Sequence, residues 1–264
     1  MVLYLLGELL ARDQQAIAVV GSRKTSPYGE QVVYDLVRDL VRANLTVVSG
    51  LALGIDALAH RTAVEFDGRT VAVLACGLDS IYPANNRIIA EKILSGHGAI
   101  LSELPLGTPP LKHHFPHRNR IISGLAWGTV VIEAATDSGA LITATHALEQ
   151  NRQVFAVPGS IYNPGSAGPN NLLKMGAKPV TTAADILEDL NLGDLQEEMA
   201  VPEITAENEG EQKILACLTR QPKHFDQIAR ELELPAASLA AALTIMEMKG
   251  KVRNAGGIQY VKSR

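Results

Sequence analysis

The residues with the clearest chemical potential lie between Phe115 and Ile122. This stretch contains an aromatic ring at its start, followed by Arg118, Asn119 and Arg120. A guanidinium group is a planar fork that fits phosphate oxygens in pairs, and an aromatic ring can stack on an unpaired base. The combination is typical of a site that grips a nucleic-acid backbone beside an exposed base. An ordinary helix start with two surface arginines is the alternative interpretation of the same residues.

Lys112 lies three residues before the ring, in a stretch rich in proline, and we expect it to contact a phosphate group. The ring is expected to lie in a loop and to stack on a base rather than pack in the core. Arg118 and Arg120 are expected to lie on alternate sides of an extended or helix-entry segment, so only one of them is expected to face the nucleic acid. The other is expected to brace the loop through an acidic residue at a strand end, either Glu103 or Glu133.

Short apolar runs alternate with helical patterns over the first 184 residues. The runs are apolar on both faces, as in a parallel sheet that helices cover on each side. Ser26 and Pro27 provide the N-cap and first turn of one helix, which is expected to run to about Ala43, and Asp56 precedes another. This alternation predicts a doubly wound, mostly parallel α/β sheet of the Rossmann class. The expected strands cover residues 17–20, 46–48, 71–74, 99–101, 129–132 and 154–157.

Polar or glycine-containing loops follow these strands. In a doubly wound sheet the ligand lies outside the carboxyl ends of the strands. Glycine lets the backbone approach a ligand closely, and serine and free N–H groups at helix starts bind anions. We therefore expect one continuous nucleic-acid-binding face, made by Gly21, Ser22, Arg23, Ser49, Gly50, Leu51, Lys112, Phe115, Arg118, Asn119, Arg120, Ser138 and Gly139.

The last part of the chain has a different pattern. Helical patterns over 211–219, from Phe225, and from about 236 to Met248 precede a predicted hairpin over 249–261. Three helices followed by a hairpin predict a winged-helix domain. The third helix is rich in alanine and carries only Lys249 at its end, which makes it a poor reader of base edges. The domain is therefore expected to be a protein-interaction or accessory module.

The net charge of −4 combines three regions of different character. Residues 1–184 have a net charge of +1 and residues 212–264 of +5, whereas residues 185–211 contain ten acidic residues and no basic one. We predict a Rossmann domain over 1–190, an acidic linker over 191–210 and a winged helix over 211–264. A solvated linker is favoured over a functional acidic mimic for the middle region.

Several classes of protein and site are disfavoured by composition. No apolar run is long enough and free enough of charge to span a bilayer. Cys76 and Cys217 fit neither a disulfide framework nor a metal spacing, which predicts a reducing, cytoplasmic location. The histidines at 113, 114 and 117 fit no closed zinc site. We expect neither a metal nor a cofactor.

A series of short motifs occurs in order along the chain: Gly21-Ser22-Arg23, Tyr28-Gly29, Ser49-Gly50-Leu51-Ala52, Gly54-Ile55-Asp56, His60, Gly77-Leu78-Asp79, Tyr82-Pro83, Ser102-Glu103, Phe115-Pro116, Arg118-Asn119-Arg120, Ser138-Gly139, 155–159 and Gly176-Ala177. This series resembles the DprA/Smf family of DNA-processing proteins. The resemblance covers roughly residues 4 to 190, and the tail is similar to the family's winged helix. It implies an extended Rossmann domain that binds single-stranded DNA, protects incoming DNA during natural transformation and helps to load the RecA recombinase. It also implies a homodimer without enzymatic activity.

The chain departs from the family pattern at two positions. Members often carry arginine or lysine where Leu53 stands, and some carry lysine where Ala84 stands. Arg87 is a candidate to replace the second charge. The chain also begins at a segment that is usually internal, so an N-terminal helical module is expected to be absent or trimmed.

Two other functions are alternatives. A nucleotide phosphoribohydrolase of the Rossmann class uses a glycine-rich loop with Gly-Thr and a downstream glutamate, which Gly128, Thr129 and Glu133 echo in part. The full pattern is missing, because residues 125–127 do not supply its first glycines. The third interpretation is a winged-helix transcription regulator with a small-molecule sensor domain.

Overall fold

The computed structural model describes residues 2–192, 206–219 and 221–262. The chain divides into two compact units, Met1–Met199 and Ala200–Arg264. Of the acidic linker predicted over 191–210, residues 193–205 lie outside the described residues. None of the described helices is long and apolar enough to cross a membrane.

The first unit is built on an eight-stranded sheet whose spatial order is β1-β5-β4-β3-β2-β6-β7-β8. Every neighbouring pair is parallel except β1 with β5, so the predicted doubly wound, mostly parallel sheet is confirmed. From β2 the chain builds outwards through β3, β4 and β5, and then returns to place β6 on the other side of β2. The strands are β1 (Tyr4–Gly7), β2 (Ala16–Val20), β3 (Thr46–Ser49), β4 (Thr70–Leu74), β5 (Gly98–Ser102), β6 (Gly128–Val131), β7 (Gln153–Ala156) and β8 (Lys178–Pro179).

Helices cover both faces of this sheet, which explains why its strands are apolar on both sides. The helices are α1 (Pro27–Arg42), α2 (Ile55–Glu65), α3 (Arg87–Lys92), α4 (His114–Gly124), α5 (Gly139–Glu149), α6 (Ala167–Lys174) and α7 (Ala183–Asp189). In β2, Ile17 and Val19 pack in one core with α1, α2 and α7, while Ala18 and Val20 pack in a second core with α4, α5 and α6.

The start of α1 follows the predicted capping pattern. The Ser26 side chain accepts a hydrogen bond from the Gly29 N–H at 3.1 Å, and Pro27 occupies the first helical position. Proline is suited to this position because the first N–H groups of a helix have no partner inside the helix. Strand β1, by contrast, was not predicted. Its four residues are all exposed, so the pattern that marks a buried strand is missing there.

The second unit is a winged helix, as the sequence predicts. Its core is formed by residues such as Ile214, Ile228, Leu243 and Val252, one from each main element. The elements are α8 (Glu209–Cys217), β9 (Lys223–His224), α9 (Phe225–Leu232), α10 (Ala236–Met248), β10 (Val252–Gly256) and β11 (Gln259–Lys262), with the strands in the order β10-β11-β9.

An ion-pair cluster joins the start of α8 to the end of α10 and the start of the hairpin. Lys249 pairs with Glu207 at 2.6 Å and with Glu211 at 3.2 Å. Lys251 pairs with the same two glutamates at 2.8 and 2.6 Å. Hydrogen bonds from Lys251 and from the Glu207 N–H lower the pKa of Glu211 from 4.5 to about 2. The positive charges of both lysines are therefore already balanced by carboxylates within the winged helix.

Candidate nucleic-acid interface

A cavity of about 930 Å³ opens at the carboxyl ends of β2 and β6. This is the point where the strand order reverses, and doubly wound sheets bind ligands at such points. The main lining segments are the loop after β2, the stretch from Pro110 through the first turns of α4, and the loop between β6 and α5. Ala52, Asp56 and Tyr82 also line the cavity. Of the predicted residues, the cavity is lined by Gly21, Ser22, Arg23, Lys112, Phe115, Arg118, Asn119, Ser138 and Gly139.

Three cations with exposed side chains lie around this cavity, Arg23, Lys24 and Lys112. Among the described residues, none of the three forms an ion pair with a carboxylate. The Ser22 hydroxyl fixes the turn that carries Arg23, because it donates to the Lys24 carbonyl at 2.7 Å and accepts from the Lys24 N–H at 3.0 Å. Exposed cations without a carboxylate partner on an ordered turn are available to contact phosphates.

Phe115 lies in the first turn of α4, so the prediction that it sits in a loop is wrong. The proline that follows misled the prediction, because a helix tolerates proline in its first turn, where N–H groups have no partner. The ring is half-buried and lines the cavity. It meets the Tyr82 ring edge-to-face at 5.8 Å, and the guanidinium carbons of Arg23 and Arg118 lie 5.4 and 5.9 Å from its centre. The ring thus faces the cavity among cations.

Arg118 and Arg120 have different surroundings. Arg118 is only 7% exposed, and its guanidinium donates to the carbonyls of Gly50, at 2.7 Å, and Val73. Burial lowers its pKa to about 10, although the nearby carboxylate of Asp56 opposes the shift. Arg118 therefore places a fixed positive charge 5.9 Å from the centre of the Phe115 ring.

Arg120 lies outside the cavity lining. Its guanidinium donates to a Glu103 carboxylate oxygen at 2.6 Å. This is one of the two bracing contacts that the sequence analysis considered. The structure therefore brings Arg118, and not Arg120, to the cavity.

The loop after β3 turns inward, so Ser49, Gly50 and Leu51 are not part of the cavity surface, contrary to prediction. The Ser49 hydroxyl donates to the Val19 carbonyl at 2.7 Å. Leu51 is fully buried in a third apolar cluster, and its carbonyl accepts from the Asn86 amide at 2.8 Å.

Gly50 has a supporting role in this loop. Its N–H donates to Asp56 at 3.1 Å, and its carbonyl accepts from Arg118. A Cβ atom at this position would lie 2.6 Å from the Arg118 guanidinium carbon. Gly50 therefore helps to position Arg118 instead of lining the cavity, whereas Ala52, later in the same loop, does line it.

The N-terminus of α5 forms the opposite wall of the cavity. Ser138 caps this helix by accepting from the Ala140 N–H at 3.3 Å, and the Asn119 amide donates to the Gly139 carbonyl at 3.1 Å. A helix N-terminus carries partial positive charge and free N–H groups, which suit an anion. Asp137 lies beside it, exposed at the cavity, where its carboxylate opposes anion binding.

The lining residues that were not predicted as site residues include Lys24, Tyr82 and Asp137. Lys24 follows Arg23 directly, so its position next to a predicted phosphate contact was an available signal. Tyr82 belongs to the Tyr-Pro motif, but nothing in the sequence placed it against the Phe115 ring. Leu53 and Arg87 do not line the cavity, and Arg87 pairs with Glu91 at 3.0 Å, so it does not replace the missing charge there.

Glu133 lies beneath the loops and does not line the cavity. It is 2% exposed and accepts from the Ser26 N–H at 3.0 Å, the Ser26 hydroxyl at 2.5 Å and the Asn163 amide at 3.3 Å. Burial and the neighbouring Glu133 raise the pKa of Tyr28. Gly128 and Thr129 lie inside strand β6 and not in a loop. These residues do not assemble the phosphate loop and exposed glutamate that a phosphoribohydrolase site requires.

His113 and His114 contact each other, with ring centres 4.3 Å apart. Within the described ranges, no three histidine, cysteine or acidic side chains are placed to hold a metal ion. Cys76 and Cys217 are both unpaired.

Comparison with known proteins adds to this geometry. Residues 1–191 match the family described as DNA recombination-mediator protein A, and residues 198–257 match the DprA winged helix domain. The chain belongs to the DprA/Smf family of DNA-processing proteins. The Protein Smf of Escherichia coli is 49% identical over 191 residues, which are 72% of this chain and 51% of that protein. The chain thus spans about half the length of this relative.

Two solved DprA structures resemble the chain. That of Streptococcus pneumoniae superimposes with a TM-score of 0.66 at 43% identity, covering 71% of this chain and 65% of the other. That of Helicobacter pylori superimposes with a TM-score of 0.65 at 31% identity, covering 73% of this chain and 87% of the other. The Helicobacter study describes a single-stranded DNA binding mode of that DprA. Both superpositions support the DprA-type α/β fold of this chain.

Proposed function

We propose that this DprA-family chain binds single-stranded DNA in the cavity at the carboxyl ends of β2 and β6. The observation that carries the proposal is the half-buried Phe115 ring at a cavity that Arg23, Lys24 and Lys112 also line, and these three cations form no ion pair with a described carboxylate. The buried Arg118 adds a fixed charge 5.9 Å from the ring centre. An aromatic face for a base and cations for the backbone are the elements of sequence-tolerant single-strand binding.

The single strand is favoured over the duplex because of where the ring lies. Phe115 is half-buried within a concave surface, and a base that is paired and stacked inside a duplex cannot reach such a ring without unstacking. The cations at the cavity would contact the phosphates of the DNA backbone, and such contacts carry no direct sequence information. The proposed binding therefore has little sequence preference.

The wider role is proposed from family membership. The chain would protect incoming DNA during natural transformation and help to load the RecA recombinase, without catalysing a reaction itself. A homodimer supports this role, because two sites on one strand raise the effective affinity when each site makes few contacts. Light scattering of the full chain at micromolar concentration should give a dimer with and without DNA, whereas a monomer in both conditions would contradict the dimer. The cytoplasmic location stays a prediction.

A gel-shift series with matched single-stranded and double-stranded oligonucleotides tests the proposal. The full chain should shift the single strand at lower protein concentration than the duplex of the same sequence. Homopolymers of different bases should compete to a similar extent. Equal or tighter binding of the duplex would overturn the proposal.

A further inference from the structure

Two large apolar side chains extend into solvent from the loop between β7 and α6. Ile161 is 82% exposed and Tyr162 is 90% exposed, although they are neighbours in the sequence. Single exposed apolar residues are common, whereas adjacent ones on a fixed loop mark a surface that meets a partner. This loop lies at the carboxyl ends of the strands, as the DNA cavity does.

The backbone on both sides of Tyr162 is held in place by side-chain hydrogen bonds. The Asn170 amide accepts from the Gly159 N–H at 3.3 Å and donates to the Gly159 carbonyl at 3.0 Å. A Cβ atom on Gly159 would lie 2.1 Å from the Ser166 hydroxyl oxygen, so only glycine allows this close approach. On the other side, the Asn163 side chain accepts from the Gly165 N–H at 2.9 Å. The loop therefore presents the Tyr162 ring from an ordered backbone.

Hydrogen bonds attach this loop to residues that adjoin two of the segments lining the cavity. The Ala134 N–H donates to the Gly165 carbonyl at 2.7 Å, just before the segment in which Ala135 and Asp137 line the cavity. At the other end of the loop, the Tyr28 hydroxyl donates to the Pro158 carbonyl at 2.7 Å. Tyr28 lies in the first turn of α1, directly after the segment that carries Arg23.

Glu133 fixes the geometry between the Arg23 segment and the Tyr162 loop. Its backbone carbonyl accepts from the Ser22 N–H at 2.6 Å. Its buried carboxylate accepts from both the N–H and the hydroxyl of Ser26 and from the Asn163 amide. One buried side chain thus connects a segment beside Arg23 to the residue that follows Tyr162.

We infer that Tyr162 forms a second base-stacking platform, outside the cavity, for an unpaired base of the same DNA strand. This inference rests on the proposed function. The occupant is a nucleic-acid strand because Arg23 and Lys24, on the segment tied to this loop, are exposed and form no ion pair with a described carboxylate. Exposed cations on a segment joined by hydrogen bonds to the loop of an exposed ring favour a polyanion with flat bases, and every base has a face that can stack.

The platform predicts an effect that depends on DNA length. In the full chain, Tyr162→Ala should weaken binding of an oligonucleotide of about 16 nucleotides by about five- to fiftyfold, from the loss of one stacked base. A short oligonucleotide of about four nucleotides occupies only the cavity, so Tyr162→Ala should bind it with the same affinity as the wild type does. Tyr162→Phe is the matched control and should keep the wild-type affinity at both lengths, because it retains the ring. Fluorescence anisotropy of labelled oligonucleotides measures all of these affinities.

Cross-linking with a halogenated uracil at successive positions of the long oligonucleotide gives a second readout. We expect a cross-link to the peptide that contains Tyr162, from a position outside the one that reaches Phe115. Unchanged affinity of Tyr162→Ala for the long strand, or equal losses at both lengths, would overturn the inference. A changed oligomeric state with unchanged DNA affinity would assign the ring to a second copy of the chain and would also overturn it. If the wild type preferred duplex, the proposed function itself would fail, a result distinct from the other outcomes.

Discussion

Positive charge is arranged in opposite ways at the cavity of the first unit and in the ion-pair cluster of the winged helix. At the cavity, Arg23, Lys24 and Lys112 are exposed and form no ion pair with a described carboxylate. In the winged helix, Lys249 and Lys251 each pair with the same two glutamates, within 3.2 Å. A lysine held by two carboxylates must lose those contacts before it can meet a phosphate.

Under the proposed function, the net charge of a segment does not locate the nucleic-acid surface. Residues 212–264 have a net charge of +5 and residues 1–184 have +1. The less basic segment nevertheless brings Arg23, Lys24 and Lys112 to one cavity together with an aromatic ring. The proposed function therefore places the DNA by local charge pairing and by the presence of a stacking surface.

The largest expected effect comes from removing the ring at the cavity. Phe115→Ala should weaken single-strand binding by about one to two orders of magnitude, because stacking of a base on an aromatic ring contributes roughly 1–3 kcal/mol. The loss should be similar for different homopolymers. The dependence of affinity on salt should not change, because no charge is removed. Anisotropy titrations at several salt concentrations measure both quantities.

Phe115→Tyr is the control for this variant and should bind close to the wild type. The melting temperature of each preparation must be measured as well, because the ring also contacts Tyr82. Lost stability of Phe115→Ala with normal affinity at low temperature would rule out stacking and would weaken the contrast between the two regions.

The next effect concerns the free cations. Arg23→Ala should lower affinity several-fold and make the plot of log K against log salt less steep by about 0.7, the contribution of one phosphate contact on a single strand. Arg87→Ala is the matched control, because Arg87 is exposed, pairs with Glu91 and does not line the cavity. An unchanged slope for Arg23→Ala would mean that Arg23 is not a phosphate ligand.

The smallest effect on DNA binding is expected in the winged helix. Glu211→Gln removes part of the ion-pair cluster, so it should lower the melting temperature of the winged helix by a few degrees at neutral pH and leave DNA affinity unchanged. Because the pKa of Glu211 is lowered in the folded state from 4.5 to about 2, its stabilising effect is present above pH 4.5. That effect is lost as the pH falls through this range towards 2.

Thermal unfolding between neutral and acidic pH checks this expectation. The difference between Glu211→Gln and the wild type should shrink below about pH 4.5. Glu209→Gln lies in the same first helical turn and is the control, which should match the wild type throughout. Tighter DNA binding by Glu211→Gln would show that the cluster masks a DNA surface, and it would contradict the contrast drawn here.

The architecture could be predicted because it depends on local pattern. The strands carry apolar residues on both faces, and α1 has a serine cap followed by proline. These local sequence patterns are enough to predict the elements. Strand β1 was missed because it is an exposed edge strand without that pattern. The three helices and the hairpin of the winged helix were recognised for the same reason as the strands of the sheet.

The site was predicted less completely, because loop direction depends on tertiary partners. Gly21-Ser22-Arg23 and Ser49-Gly50-Leu51 look alike as sequences, yet the first lines the cavity and the second turns inward. Two side chains outside this triplet set its inward turn. The Asn86 amide donates to the Leu51 carbonyl, and the Asp56 carboxylate accepts from the Gly50 N–H. In the same way, only the fold places Arg118 at the cavity and pairs Arg120 with Glu103.

The most direct test is a structure of the full chain with a short thymidine oligonucleotide. We predict a base stacked on the Phe115 ring, with phosphates beside Arg23 and Lys112 and no DNA contact from Lys249 or Lys251. An empty cavity with the strand bound along the winged helix would contradict the account.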